Sequence, residues 1–249
     1  MFSGTGSGSG TGSESGTGTV FKEYVVITVH HLESSRSQKI LWLLEELQLE
    51  YKIEHYKRNK VTNLAPPELK KIHPLGKSPV VTDGENVIAE TGAIIEYFVD
   101  KYTDKNLKPA AGTPEYMRYT YWLHTAEGSI MPLLVMKLIF GVISTKSPFF
   151  VRPIAKAISG QVNNSYIMPG LNNMFAYIEA ELNRSSWLAG DQFSAADIIM
   201  SNPVEGAIAQ GVVSPNQHPK IYDFLTRIQQ REGYQKSVEK GGTFIPTNS

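Results

Sequence analysis

Apolar and polar positions alternate most regularly in the first hundred residues. Tyr24-Val25-Val26-Ile27-Thr28-Val29-His30 is a β-branched run that predicts a buried strand. Ile40, Leu41, Leu44 and Leu47 then recur at helical spacing through Leu41-Trp42-Leu43-Leu44-Glu45-Glu46-Leu47. Tyr51 to Tyr56 reads as a second short strand. Pro66-Pro67-Glu68 opens a short helix, because the first turn tolerates proline. Val80-Val81 and Val87-Ile88-Ala89 flank Asp83-Gly84, which predicts a hairpin, and a helix follows from Thr91 to about Tyr102.

This order, β-α-β-α-β-β-α with short loops, predicts an α/β domain of thioredoxin-like type over residues 20–103. Residues 104–113, rich in Lys, Pro, Gly and Ala, read as a linker. From 114 to 249 only helical patterns recur, so the second half is predicted to be an all-α bundle. Within it, Ser194 and Asp197 have the spacing of a reciprocal helix cap, with Phe193 placed to staple onto Ile198. The run Met131 to Phe140 carries only Lys137 as a charge; it is too short to span a bilayer and reads as a buried helix. Pro148 to Ile158 is left open to peripheral membrane association.

Composition narrows the chemistry. The 249 residues carry 24 Lys+Arg against 24 Asp+Glu, so no basic footprint points to nucleic acid. Cysteine is absent, which excludes disulfides, thiolate metal sites and a redox cycle on the protein's own sulfur. Thiol chemistry here needs a thiol carried by the substrate. Residues 1–19 are nearly all Gly, Ser and Thr and are expected to form a flexible tail. They lack the charged and apolar regions of a secretory signal, so a cytoplasmic setting is expected. The six histidines show no metal-ligand spacing, and no Gly-x-Ser-x-Gly elbow exists. Gly76-Lys77-Ser78 is not a phosphate loop, since position 71 is Lys and a strand follows.

The most informative segment is Ile72-His73-Pro74-Leu75-Gly76-Lys77-Ser78-Pro79-Val80-Val81, followed by Glu90-Thr91. Proline at a strand mouth is tolerated at an edge or as a backbone device, and a cis Ser78-Pro79 bond is such a device. It would turn the Ser78 backbone outward to pair with an extended peptide. Glu90-Thr91 would open the following helix, whose N-terminus is a ready anion site. Ser35-Arg36-Ser37-Gln38 has the spacing of a capping box at the start of the first helix.

Together with Ala65-Pro66-Pro67-Glu68-Leu69-Lys70-Lys71, Ser35-Arg36 and Tyr121-Trp122-Leu123-His124, this segment resembles the glutathione transferases. The likeness is closest to a fungal and bacterial branch typified by a yeast enzyme, and runs from about Tyr24 to Gly242. The resemblance implies a homodimer that binds glutathione and conjugates its thiolate to a hydrophobic electrophile, with reduction of organic hydroperoxides as a side activity. Glutathione enters as co-substrate, with no resident cofactor or metal.

By the same resemblance, Ser34 aligns with the catalytic serine of theta-like enzymes and Ser35 with that of the yeast branch. Ser35 is favoured as the thiol partner and Ser34 is the substitute. Lys77, Ser78, Pro79, Glu90 and Thr91 would hold glutathione: Lys77 its glycine carboxylate, Glu90 its ammonium, the Thr91 helix start its γ-glutamyl carboxylate. Tyr121, His124 and Glu127 are candidates for the electrophile cleft. Ile94, Ile95, Phe98 and the Met117–Leu134 segment would meet a second subunit. The competing reading is a non-catalytic protein of the same fold that serves in binding or regulation.

Overall fold

The computed structural model describes residues 26–245. The first half comprises β1 (Ile27–Leu32), α1 (Ser37–Glu46), β2 (Tyr51–Tyr56), a 3₁₀ turn (Pro67–Lys71), β3 (Val80–Asp83), β4 (Asn86–Ala89) and α2 (Thr91–Lys101). The four strands form one sheet in the order β2-β1-β3-β4. β1 and β2 run parallel, from Ile27 opposite Tyr51 to Leu32 opposite Tyr56, which a crossover through α1 permits. β3 and β4 are antiparallel across a tight turn at Gly84, whose positive φ of 61° suits glycine. Within the described residues β1 starts at Ile27 and runs on past His30 to Leu32, so His31 becomes a sheet residue. Tyr24 and the Gly/Ser/Thr-rich residues 1–19 lie outside the described residues.

The second half is helical. α3 (Pro114–Thr125) and α4 (Met131–Lys146) are joined by a π-helical turn, Ala126–Ile130, into one continuous helix of 33 residues. α5 (Arg152–Val162) and α6 (Met168–Leu182) are joined in the same way through Asn163–Ile167, and α7 (Ala195–Ala209), α8 (Pro219–Gln229) and α9 (Glu232–Gly241) complete the fold. The predicted cap at α7 is present. Asp197 accepts from the Ser194 N–H at 2.9 Å and also from the Leu188 N–H at 2.9 Å, which ties the preceding turn to the helix. Phe193 packs against the rings of Trp187 and Trp42.

One continuous core crosses both halves, from Val29, Trp42 and Phe98 to Trp122, Ile198 and Phe224. Each such side chain contributes roughly 1.5–3 kcal/mol by leaving water. α1 is buried on every side from Ser37 to Leu44, because it lies between the sheet and helices α7 and α9. α9 is fastened to it by the Arg231 fork on Glu46 (2.8 and 2.6 Å) and by the Gln38 amide donating to Ser237 Oγ at 2.9 Å.

Two expectations are corrected here. Ile94, Ile95 and Phe98 are fully buried in this core, so α2 cannot offer them to a second subunit. The apolar run of α4 is not a buried helix: only Met131 and Leu134 are buried, and Leu138, Ile139, Val142 and Ile143 are exposed. The segment 104–113, expected as a linker, makes contacts to both halves. The Leu107 carbonyl accepts from the Ala195 N–H at 2.9 Å, and Lys108 bridges Glu96 and Asp100 at 2.8 Å each.

Candidate active site

A cavity of about 410 Å³ opens where the end of β1 and the start of α1 face α4 and α7. Its polar wall carries Ser34, Ser35, Arg36, Arg58, Lys77 and Ser78. Its apolar wall carries Met131, Leu134, Val135, Leu138, Phe244 and Ile245. A charged or polar ligand and an apolar one can therefore lie side by side, each against matching chemistry, which is the usual build of a small-molecule site.

The polar wall is set by the β1–α1 turn. Ser34 adopts φ 48°, and its carbonyl accepts from an Arg58 guanidinium N–H at 3.0 Å. Arg58 also donates to the Glu33 carbonyl at 3.2 Å, so one side chain from the loop after β2 holds the turn. The turn swings Ser35 into the cavity wall, where it is only 6% exposed. Ser35 Oγ accepts from the Ser37 N–H at 3.2 Å, sits 2.7 Å from Ser37 Oγ, and lies 3.4 Å from Ser78 Oγ. The anticipated capping box is only half formed. Ser35 meets the first helical N–H, but Gln38 does not reach back, because its amide is committed to Ser237 on α9.

The Ser78-Pro79 bond is cis. β3 pairs Val80 with Ala89, and this register brings Glu90 and Thr91 alongside Pro79. Glu90 is exposed and takes φ 72°, a conformation that a non-glycine side chain adopts at a cost of about 1–3 kcal/mol and that clusters at functional sites. Thr91 is the first residue of α2; Glu90 holds the cap position and its carbonyl accepts from the Ile94 N–H. Ser35, Lys77 and Ser78 thus share the cavity wall, whereas Pro79, Glu90 and Thr91 are not among the residues that line it.

None of the three residues expected at the electrophile cleft is among those lining the cavity. Tyr121 packs against Trp122 and Tyr177, and both it and His124 face outward on α3, one turn short of the π-helical bend that carries α4 over the cavity. Glu127, within that bend, does approach the site. It accepts from the buried Lys39 ammonium at 3.0 Å and pairs at 3.3 Å with Arg36 of the polar wall. Burial pulls the Lys39 pKa below the usual lysine value, and Glu127 partly restores it.

Sequence reasoning missed His31, Ser37, Arg58 and the apolar wall. His31 could have been found: it shares strand parity with the buried Ile27 and Val29, so its imidazole faces the interior and must be hydrogen-bonded. Its Nε2 lies 2.8 Å from the Gly241 carbonyl and its Nδ1 2.9 Å from Ser37 Oγ. Burial pulls its pKa below the usual histidine value, against the opposing effect of the Gly241 hydrogen bond.

Two family models match this chain: the N-terminal domain of glutathione S-transferases over residues 24–100, and the C-terminal domain over residues 145–232. Glutathione S-transferase 1 of Saccharomyces cerevisiae is 33% identical over 223 residues, covering 86% of this chain and 95% of the yeast protein. Glutathione S-transferase 3 of Schizosaccharomyces pombe is 32% identical, covering 86% and 88%. The crystal structure of a glutathione S-transferase from Actinobacillus pleuropneumoniae superposes with a TM-score of 0.68 at 33% identity, covering 87% of this chain and 93% of that one. A sphingomonad glutathione S-transferase, solved in complex with glutathione, has the same fold at a TM-score of 0.66 and 20% identity, covering 86% and 98%.

Proposed function

The chain belongs to the glutathione S-transferase family, and from that membership we propose that its cavity binds glutathione and conjugates the thiolate to a hydrophobic electrophile. The observation that carries this reading is Ser35, nearly buried, at the seam between a polar wall and an apolar one. Glutathione lies along the polar wall, with Lys77 toward its glycine carboxylate and Glu90 toward its ammonium. Ser78, Pro79 and the Thr91 helix start hold the rest. Its sulfur faces Ser35, and the electrophile fills the space against Met131, Leu134, Val135 and Leu138.

A free thiol of pKa about 8.5 is only about 3% ionised at pH 7. Lowering that pKa by roughly two units makes the thiolate dominant and requires about 2.7 kcal/mol of differential stabilisation. A hydroxyl donor at Ser35, together with the positive end of α1, is of the right size to supply it. The apolar wall discriminates weakly among hydrophobic partners, which fits a broad electrophile range and hydroperoxide reduction as a side activity.

The test is a thermal-shift titration with glutathione, followed by turnover of an aryl halide and an organic hydroperoxide. Stabilisation at millimolar glutathione together with turnover is expected; no response to glutathione would reject the reading. Binding without turnover of any electrophile would favour the non-catalytic alternative.

Two features of the second half bear on partners. Met117 and Tyr121 on α3 and Ile139, Val142 and Ile143 on α4 are exposed apolar side chains, which supports a homodimer across a two-fold axis. Light scattering is then expected to give twice 27.6 kDa. At the α4–α5 tip, Phe149, Phe150, Ile154 and Ile158 are exposed beside Lys146, Arg152 and Lys156, and no Asp or Glu occurs between Glu127 and Glu179. That pairing of apolar and cationic groups supports peripheral contact with an anionic bilayer, testable by co-sedimentation with vesicles that contain phosphatidylserine.

A further inference from the structure

The hydrogen-bond chain behind Ser35 has a polarity that its chemistry dictates. The Gly241 carbonyl can only accept, so His31 Nε2, 2.8 Å away, must carry a proton. A neutral imidazole then has a bare Nδ1; Ser37 Oγ has two acceptors in reach, the Leu32 carbonyl at 3.3 Å and this Nδ1 at 2.9 Å, and the shorter contact takes its proton. Ser37 has one hydroxyl proton. Its 2.7 Å contact with Ser35 Oγ must therefore be bridged by the proton of Ser35. In the resting site the Ser35 hydroxyl proton thus points inward, away from the cavity, while its oxygen also accepts from the Ser37 N–H and keeps one lone pair for the ligand.

Such a serine cannot donate to a thiolate until the chain reverses. Reversal with a neutral imidazole would leave buried Nδ1 facing a hydroxyl oxygen without a proton between them, an unsatisfied buried group. We propose that His31 is the acceptor of the thiol proton, reached through Ser35 and Ser37; the inference rests on the glutathione reading above. As the S–H bond breaks, its proton passes to Ser35 Oγ, the Ser35 proton passes to Ser37 Oγ, and the Ser37 proton passes to His31 Nδ1. Three protons each move one place, both serines stay neutral hydroxyls, and the products are a thiolate and an imidazolium. Ser35 then presents the former thiol proton to the thiolate as a hydrogen bond. After conjugation the proton returns along the same chain to water in the open cavity.

The surroundings of His31 suit this role. β2 presents His55 edge-on to its ring, the exit of β1 presents Glu33, α1 presents Ser37, and α9 presents the Gly241 carbonyl. Lys240, next to Gly241 on α9, is paired with Glu45. Burial is the largest effect and opposes the imidazolium, as does His55; the Gly241 carbonyl and Glu33 favour it. The approach of α9 depends on residue 241 having no side chain. A Cβ there would come within 3.1 Å of the imidazole and run into Leu41. His31 is a positioning residue that acts through two hydroxyls and never touches the sulfur.

The experiment is nitrogen-15 NMR of histidine-labelled wild-type protein at pH 7, free, with saturating glutathione, and with saturating S-methylglutathione, which has no thiol proton. His31 is expected to be the neutral Nε2–H tautomer when free and with the methylated ligand, and to become imidazolium with glutathione. Ser37→Ala cuts the chain while leaving Ser35 and His31 in place. It should lower kcat/KM at pH 7 by roughly 20-fold, the loss of thiolate expected if the thiol returns to its free pKa, and the deficit should close toward pH 9. Its affinity for S-methylglutathione should match the wild type. A neutral His31 in the glutathione complex, or a Ser37→Ala pH profile superimposable on the wild type, overturns the relay and leaves the transferase reading standing. Absence of any glutathione-induced change in the spectra or in thermal stability overturns both.

Discussion

Glu127→Gln isolates the electrostatic cost of a lysine with no access to water. The Lys39 side chain is 0% exposed, and its ammonium has two partners, Glu127 Oε1 and the Ile199 carbonyl, each at 3.0 Å. At that separation and an effective dielectric constant near 20, the gross attraction of the pair is about 5 kcal/mol. Removing one partner of a buried pair costs about 3–5 kcal/mol, because the other charge stays buried. The Glu127 side chain is 23% exposed and a glutamine oxygen still accepts, so the lower end applies, about 3 kcal/mol. That is a large share of the 5–15 kcal/mol typical of a folded protein.

Urea denaturation at pH 7 measures this loss, and its pH dependence gives a second check. The folded pKa of Lys39 lies below its unfolded value, so the unfolded state binds more protons, and the stability contributed at this site rises with pH through that window. Without Glu127 the folded pKa falls further, so the deficit of Glu127→Gln should shrink toward about pH 10. The double variant Lys39→Met with Glu127→Gln should recover most of the loss, since an apolar replacement of a buried pair is often neutral. A single-variant cost below about 1 kcal/mol, or a deficit constant with pH, would refute the reasoning.

Other consequences are as direct. Ser35→Ala should slow conjugation at neutral pH by roughly 20-fold, with the deficit closing as pH approaches the free-thiol value, whereas Ser34→Ala, whose structural tie is a backbone carbonyl, should keep the wild-type pH–rate profile. Asp197→Ala strands the Leu188 and Ser194 N–H groups and should cost about 2–4 kcal/mol in denaturant unfolding. Burial raises the Asp197 pKa to about 6, so the folded state holds a proton that the unfolded state releases; wild-type stability at this site should fall from about pH 4 to about pH 6, a slope that the alanine variant lacks. Gly241→Ala should lose about 1–3 kcal/mol by overpacking against Leu41 and His31, visible as a lower urea midpoint.

Much of the first half was legible because local signals agree with the tertiary fold. The hairpin at Asp83-Gly84, the proline-led turn at Pro67 and the Thr91 helix all sit where turn chemistry and periodicity put them. The cap at Ser194 was legible for the same reason. What failed depends on distant partners. Gln38 satisfies the local rule for a capping box, yet a serine nearly two hundred residues away takes its amide. Tyr121 and His124 have the right spacing for one helix face, but which face meets the cavity is decided by the π-helical turn after them. Ile94 and Phe98 are apolar enough for an interface, and periodicity alone cannot tell a face packed within the chain from one reserved for a partner.

The packing of α9 upon α1 has a consequence for how the protein is made. The first domain is complete in sequence by Lys101, but among the described residues one flank of its central helix is covered by residues 231–241. At 5–20 residues per second, a ribosome exposes α1 for roughly 10–40 s before it delivers that cover. During that interval Gln38 lacks Ser237, Glu46 lacks Arg231 and His31 lacks the Gly241 carbonyl. A nascent chain is therefore exposed to chaperones and proteases along the element that will carry Ser35 and Ser37, and a message truncated before α9 would yield a product missing more than its last helix. Its first domain would be left unfinished.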